Sequence, residues 1–305
     1  MKHKEVALIS WNLLKKTYQE FDDDNALKLS ASLSYYTIFS LPPLLIIIMS
    51  FVSIFFGREA VTGKFFGQIN GMVGNEAAFQ IQETIKNIEL TDNNIFAAIL
   101  GGVMLLIGAS GVFAEIQSSI NFIWGLKAKP DKGLVKFIKN RLMSFSMIAS
   151  VGFLLLVSLM VNTLMDVINI QLLAYFPDST IYLFYVLNIL ILFAITTMLF
   201  SIIFKTLPDG YIAWKDALIG ASFTSFFFMF GKFAIGFYIG SSTVATVYGA
   251  AGSLIIILIW VYYSAIILYF GAEFTKVYAN VHGDKIIPNS YAVSIEVEVI
   301  ELPKK

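Results

Sequence analysis

Cysteine is absent from these 305 residues, so no disulfide framework, thiol nucleophile or cysteine-bound metal can be built. Histidine is nearly absent: His3 and His282 stand near the two ends, which leaves little for acid–base or metal chemistry. Charge is scarce too, at 14% of residues against about 25% in ordinary soluble chains. From Phe233 to Ala272 there is no charged side chain in 40 successive residues, whereas a bilayer crossing needs only about 20. A soluble domain has no use for so long an uncharged stretch, so these absences point to lipid as the solvent for much of the chain.

What is present agrees. Hydrophobic residues make up 57% of the chain, Phe alone supplies 28, and mean hydropathy is +0.76. Charges divide the sequence into uncharged runs at 29–57, 93–114, 142–165, 179–204, 217–231 and 233–272. The fifth is short for a crossing, but continued across Lys232 it reaches about Ile239, and the last run then supplies a helix at about 249–272. The expected fold is all-α: a polytopic membrane protein with a bundle of six transmembrane helices at about 29–57, 93–114, 142–165, 179–204, 217–239 and 249–272. The transmembrane domain, 29–280, lies between an N-terminal amphipathic segment, 1–28, and a tail, 281–305. No internal repeat, Gly/Ser linker or second globular domain is evident.

The net charge of zero says little, because sidedness is what counts. Lys and Arg number five before the first run, six in 115–141, two in 205–216 and four after the last run, against three, none and one in the intervening loops. Seventeen against four is a strong positive-inside bias, which places both termini and the two basic loops in the cytoplasm. A cleaved signal peptide is not expected, because the first apolar run is long, follows Asp22, Asp23 and Asp24, and shows no small-residue cleavage site.

Outside the lipid, Trp11, Leu14, Tyr18 and Phe21 recur at helical spacing, with Lys15, Lys16 and Glu20 on another side, predicting a helix on the cytoplasmic surface. Ala78, Ile81, Ile85 and Ile88 form a similar stripe in the outer loop. After Pro288, Val293, Ile295 and Val297 alternate with Ser294, Glu296 and Glu298, the pattern of a lone strand or a disordered tail.

Polar and helix-breaking groups at membrane depth are costly and tend to mark pathways. Pro42 and Pro43 interrupt the first helix beside Thr37 and Ser40, forming either a substrate-lining break or a packing kink. Lys232 lies roughly 22 Å from the cytoplasmic start of a ~30 Å core. It can snorkel, pair with another helix, or meet an anionic headgroup or substrate. Glu115 and Glu273 fall where helices reach the cytoplasmic side and can pair with bases such as Lys139, Arg141 or Lys276, or exchange protons. Ser118 (with Ser119), Asn121 and Asn188 suit interhelical hydrogen bonds. Gly231, Gly236, Gly240, Gly249 and Gly252 allow close backbone approach.

The segment YGAAGSLIIILIWVYYSAIILYFGAEF, Tyr248 to Phe274, resembles the last helix of the YihY/BrkB membrane proteins. SASLSYYTIFSLPPLL (Ser30 to Leu45), SSINFIW (Ser118 to Trp124) and KTLPDGYIAWKDALIGASF (Lys205 to Phe223) are similar to the same family, in the family's order. The resemblance covers about 30 to 280. It implies a six-helix bundle with cytoplasmic termini in a bacterial inner membrane, in agreement with the charge bias. An old ribonuclease BN label also travels with that family. A nuclease needs a carboxylate–metal cluster or a His/Lys acid–base set and a basic track for phosphates. Lys127, Lys129, Lys132, Lys136, Lys139 and Arg141 are already explained by topology, and Asp22–Asp24 by a solvated interfacial turn. No enzyme activity, cofactor, metal or nucleic-acid partner is expected. The reading that follows is a transporter or flippase-like protein, with membrane lipids as partners and a lipid-linked or amphiphilic anionic substrate. Its pathway candidates are Thr37, Ser40, Pro42, Pro43, Glu115, Ser118, Asn121, Asn188, Lys232 and Glu273. The alternative is a non-transporting scaffold or envelope-integrity factor.

Overall fold

The computed structural model describes residues 2–40, 95–129, 179–241 and 252–295. Pro42, Pro43, the outer-loop stripe and the expected helix at 142–165 lie outside the described residues. The described chain is mostly helical: α1 (Lys2–Asp23), α2 (described over 26–40), α3 (Ile95–Ile123), α4 (Ser179–Thr206), α5 (Trp214–Ser241) and α6 (Gly252–His282). Four short strands join them: β1 (Leu126–Ala128), β2 (Gly210–Tyr211), β3 (Ile287–Pro288) and β4 (Ala292–Ser294). Two helices, at Ile189–Thr206 and Ile257–His282, are long and apolar enough to cross a membrane among the described residues.

Helices outrun the apolar runs that announce them. α3 continues past Glu115 to Ile123, and α6 continues past Glu273 to His282. A charged side chain ends an uncharged run but leaves helical backbone hydrogen bonding intact, so composition marks the lipid-compatible part rather than the helix end. At 31 residues α6 is about 46 Å long, well beyond a ~30 Å hydrocarbon core. Segment 1–28 is likewise not one unit. Asn25 takes a left-handed conformation (φ 52°), which Asn tolerates better than most residues, and this turn separates α1 from α2.

α5 and α6 run antiparallel and meet through a reciprocal contact. A Cβ on Gly220 would collide with Thr275, and a Cβ on Gly271 would collide with Thr224. On each helix the Gly and Thr are one turn apart, and each Thr hydroxyl donates back to its own Gly carbonyl, Thr224 to Gly220 at 2.7 Å and Thr275 to Gly271 at 2.6 Å. The hydroxyl is thereby satisfied within its own helix while the side chain fills the neighbour's Gly notch. Gly231 extends the contact against Tyr263. Phenylalanine fills the flanks: Phe223 stacks on Phe274 at 3.8 Å, and Phe228 of α5 meets Phe200 of α4 at 5.6 Å.

α2 packs by the same economy. Ser30, Ser34, Thr37 and Ser40 are buried along one stripe, and the first three donate to carbonyls four residues back, Ala26, Ser30 and Leu33, at 2.7–3.0 Å. Ser40 lies against Gly111 of α3. α1 runs antiparallel along the far half of α6, with Phe21 against Phe270 at 5.6 Å. Of the stripe expected on its surface, Phe21 is buried and Leu14 half-buried, while Trp11 and Tyr18 are exposed. The packed face is therefore rotated toward Thr17 and Phe21, because α6 rather than a flat surface receives it.

The described chain is mostly helical, as expected, and two short antiparallel ladders are added at one end of the bundle, where β1 pairs with β4 (Lys127 opposite Val293) and β2 with β3 (Tyr211 opposite Ile287). The expected lone strand or disordered tail is thus a paired strand over 292–294, since the α3 loop offers free backbone groups; 296–305 lie outside the described residues. Gly125, at φ 63°, turns the chain out of α3, and its carbonyl accepts the Ile295 N–H at 2.7 Å.

Gly220→Ala or Gly271→Ala should destabilise the protein by about 1–3 kcal/mol through overpacking, lowering its unfolding temperature in detergent. Adding Thr275→Ala to Gly220→Ala should recover part of the loss. Equal costs with and without Thr275 would contradict this geometry.

Candidate functional site

The polar side chains gather at the end of the bundle that carries the ladders, and they fall into three groups. In the first, Asp209 is fully buried in the loop between α4 and α5. Gln117 and Asn121, one helical turn apart on α3, donate to its two oxygens at 3.1 and 2.9 Å. The Asp209 N–H donates to Asn121 Oδ1 at 2.7 Å, and its carbonyl accepts the Asn289 N–H at 2.9 Å. One residue thus ties α3, the α4–α5 loop and the segment after α6. Trp124 adds an indole bond to the Ala272 carbonyl at 3.1 Å.

The second group lies among α2, α3 and α6. Ser32 donates to Glu115 Oε1 at 2.6 Å. Tyr269, fully buried on α6, has its hydroxyl beside Ser119 and within electrostatic reach of Glu115. That hydroxyl makes no hydrogen bond of normal geometry.

The third group joins α1 to α6. Lys276 Nζ lies 2.6 Å from Glu20, 3.5 Å from Asp24 and 3.5 Å from Glu273. Glu273 is fully buried, and its second oxygen, Oε1, has no hydrogen-bond partner. A carboxylate that far from water needs its counter-charge close, and Lys276 supplies it from the next turn of the same helix.

Of the ten residues singled out by sequence, Glu115, Asn121 and Glu273 fall at this end, each with separate partners. Glu273 meets Lys276, one of the bases expected for it, and Glu115 accepts from Ser32, while Lys139 and Arg141 lie outside the described residues. Thr37 is bonded within its own helix, Ser40 packs on Gly111, and Ser118 is exposed. Asn188 and Lys232 occupy helical positions in α4 and α5, and Pro42 and Pro43 lie outside the described residues.

Sequence reasoning passed over Asp209, Gln117, Tyr269 and Ser225. The i, i+4 spacing of Gln117 and Asn121 puts both amides on one helix face and was the available signal for a buried acceptor opposite. Nothing local marks Tyr269 or Ser225. Ser225 and Thr197 are also buried, and their hydroxyls are unpartnered. Among the described residues no three His, Asp or Glu side chains gather as metal ligands.

Over residues 17–293 the chain matches the family described as virulence factor BrkB. It is similar to a "UPF0761 membrane protein" of Saccharophagus degradans, 27% identical over 264 residues that cover 86% of this chain and 58% of the relative. A protein of the same name from Teredinibacter turnerae is 25% identical over 281 residues, 91% of this chain and 62% of the relative. One from Tolumonas auensis is 27% identical over 266 residues, 81% and 78% respectively. The chain thus spans about 60% of the length of the first two relatives. No solved structure matches it.

Asp209→Asn would set an amide donor against the donors of Gln117 and Asn121. We expect a loss of about 1–3 kcal/mol, seen as a lower unfolding temperature and as faster proteolysis at 207–213 and 289–295. An unchanged cleavage pattern would show that the latch does not hold these segments.

Proposed function

The chain belongs to the BrkB family of membrane proteins, and on that premise we propose a six-helix protein of the bacterial inner membrane that moves a lipid-linked or amphiphilic anionic substrate. Both termini face the cytoplasm in this reading, supported by the seventeen-to-four distribution of Lys and Arg. α1 lies at the cytoplasmic interface, supported by the outward Trp11 and Tyr18. At the same end Lys205 sits 3.7 Å over the Tyr211 ring and 5.7 Å from Trp214, both exposed, the cation–aromatic pairing typical of a headgroup belt.

One observation carries the transport reading: three buried hydroxyls without partners on three different helices, Tyr269 of α6, Ser225 of α5 and Thr197 of α4. Gly220 opposite Thr275 and Thr224 opposite Gly271 put Ser225 level with Tyr269. Phe200 opposite Phe228 puts Thr197 near the level of Gly231, about 9 Å further along. Buried polar groups are almost always paired, so unpaired ones aligned through an apolar bundle suit a polar headgroup in passage. Lys232, next to Gly231, is the cationic position along that course. The alternative, a scaffold that does not transport, is favoured by the separate partners of Glu115, Asn121 and Glu273.

Proteoliposomes with labelled anionic lipids test the proposal. Tyr269→Phe and Ser225→Ala delete hydroxyls that make no hydrogen bond of normal geometry, so stability should change little while lipid movement falls about five- to tenfold, the worth of one hydrogen bond. Folded protein that moves lipid no faster than empty vesicles would reject transport in favour of the scaffold reading. Nuclease activity is not part of the proposal. Precursor tRNA incubated with purified protein and Mg²⁺ should stay intact, and metal-dependent cleavage would overturn that.

A further inference from the structure

We infer that the cleft where α1 lies along the end of α6 is a docking site for one anionic phospholipid, with an acyl chain against its apolar walls and the phosphate at its basic margin. The inference goes beyond the transport reading and holds equally for a scaffold. Ile9 and Leu13 of α1 and Val277 and Val281 of α6 line a cleft of about 260 Å³. Val277 is buried and Leu13 half-buried, while Ile9 and Val281 are exposed, so apolar surface remains uncovered there.

Size and position choose the occupant. Two turns of a partner helix, ~10 Å across and ~11 Å long, would exceed this volume several-fold, whereas a single hydrocarbon chain fits it. Val277 and Val281 stand past the charged Glu273 and Lys276 yet within the apolar stretch Ile257–His282. Hydrocarbon and headgroup chemistry meet at such a position. Trp11 and Tyr18, exposed on α1, are the side-chain types enriched at that level of a bilayer.

The margin of the cleft selects the sign of the headgroup. Lys16, Asn12 and His282 complete the lining, and no lining residue is acidic. Lys16 brings an ammonium, and Asn12 and His282 bring N–H donors, a set that suits phosphate oxygens. Glu20 lies 4.0 Å from Lys16 but is engaged more closely by Lys276, at 2.6 Å, so the half-exposed Lys16 is only loosely held and can turn toward the cleft. Tyr278 stacks on the His282 ring at 5.5 Å and steadies it. Beyond His282 the exposed Asp284 is followed by the exposed Lys285, which offsets its charge. The ammonium of a zwitterionic headgroup therefore finds no acidic partner in the lining, and an anionic lipid is preferred.

The full chain in detergent micelles, titrated with dioleoyl phosphatidylglycerol or dioleoyl phosphatidylcholine and read by native mass spectrometry, tests the site. One phosphatidylglycerol should bind about fivefold more tightly than phosphatidylcholine. Lys16→Gln should remove that preference. Lys15→Gln, with the same loss of charge outside the cleft lining, should keep most of it. Val281→Trp fills the cleft and should weaken both lipids alike. These substitutions fall at exposed positions and spare the core. Glycerol 3-phosphate, the headgroup chemistry without a chain, should not compete. Equal binding of the two lipids, equal effects of Lys15→Gln and Lys16→Gln, or competition by glycerol 3-phosphate would overturn the proposal, as would a Val281→Trp protein that binds like the native chain.

Discussion

The reciprocal seating of Gly220 on Thr275 and of Gly271 on Thr224 sets the register on which the rest of the described structure depends. Helices in lipid gain nothing from burying apolar side chains against one another, since the lipid is as apolar as they are. Association must come from close packing, and a Gly notch filled by a self-satisfied Thr brings two backbones together without leaving a hydroxyl unpaired. Fixing that pair fixes where the far half of α6 emerges. Its emergence creates the face that α1 covers from Phe21 against Phe270 onward. The same register aligns Ser225 with Tyr269, so the unpaired hydroxyls follow from the lock rather than from local sequence.

At the other scale, Asp209 organises the loops. Its position one residue before Gly210 places the carboxylate inside while the next two residues form β2. Four hydrogen bonds from α3 and from the segment after α6 converge on it, two to the carboxylate, one from its N–H and one to its carbonyl. Each of the three connected segments would otherwise expose backbone groups near a bilayer surface, where pairing is worth more than in bulk water. The two ladders complete that pairing, which is why an otherwise helical chain contains strands at all.

The sequence disclosed what depends on solvent and little that depends on register. Long uncharged runs and the family segments up to Phe274 are averages over many side chains, and the helices and the membrane assignment follow from them. Helix ends were legible only as composition, so Gln117 was passed over and Asn121 was read as an interhelical hydrogen-bonding group and pathway candidate, with no acceptor named for it. Glu273 and Glu115 stood out because charge beside an apolar run is conspicuous. Tyr269, Ser225 and Thr197 did not, because a hydroxyl on an apolar helix is ordinary until its neighbours are known. The stripe on α1 divides, with Phe21 packed against Phe270 of α6 while Trp11 and Tyr18 stay exposed, a split that depends on the neighbouring helix and not on local spacing.

The sign of the buried charge also bears on direction and substrate. At the end where α1, the ladders and Asp209 meet, the buried or half-buried acidic side chains of the described residues are Glu20, Asp24, Glu115, Asp209, Asp216 and Glu273, with Lys129, Lys205 and Lys276 as the basic members. Lys276 is outnumbered by its own carboxylates, and Lys205 is held by the Ile212 carbonyl and the Tyr211 ring. In the transport reading, an anionic headgroup would meet both signs of charge at that end and neutral hydroxyls above it, from Tyr269 and Ser225 to Thr197. In that reading, Lys232, which follows Gly231 on α5, is the cationic position of the sequence beyond them.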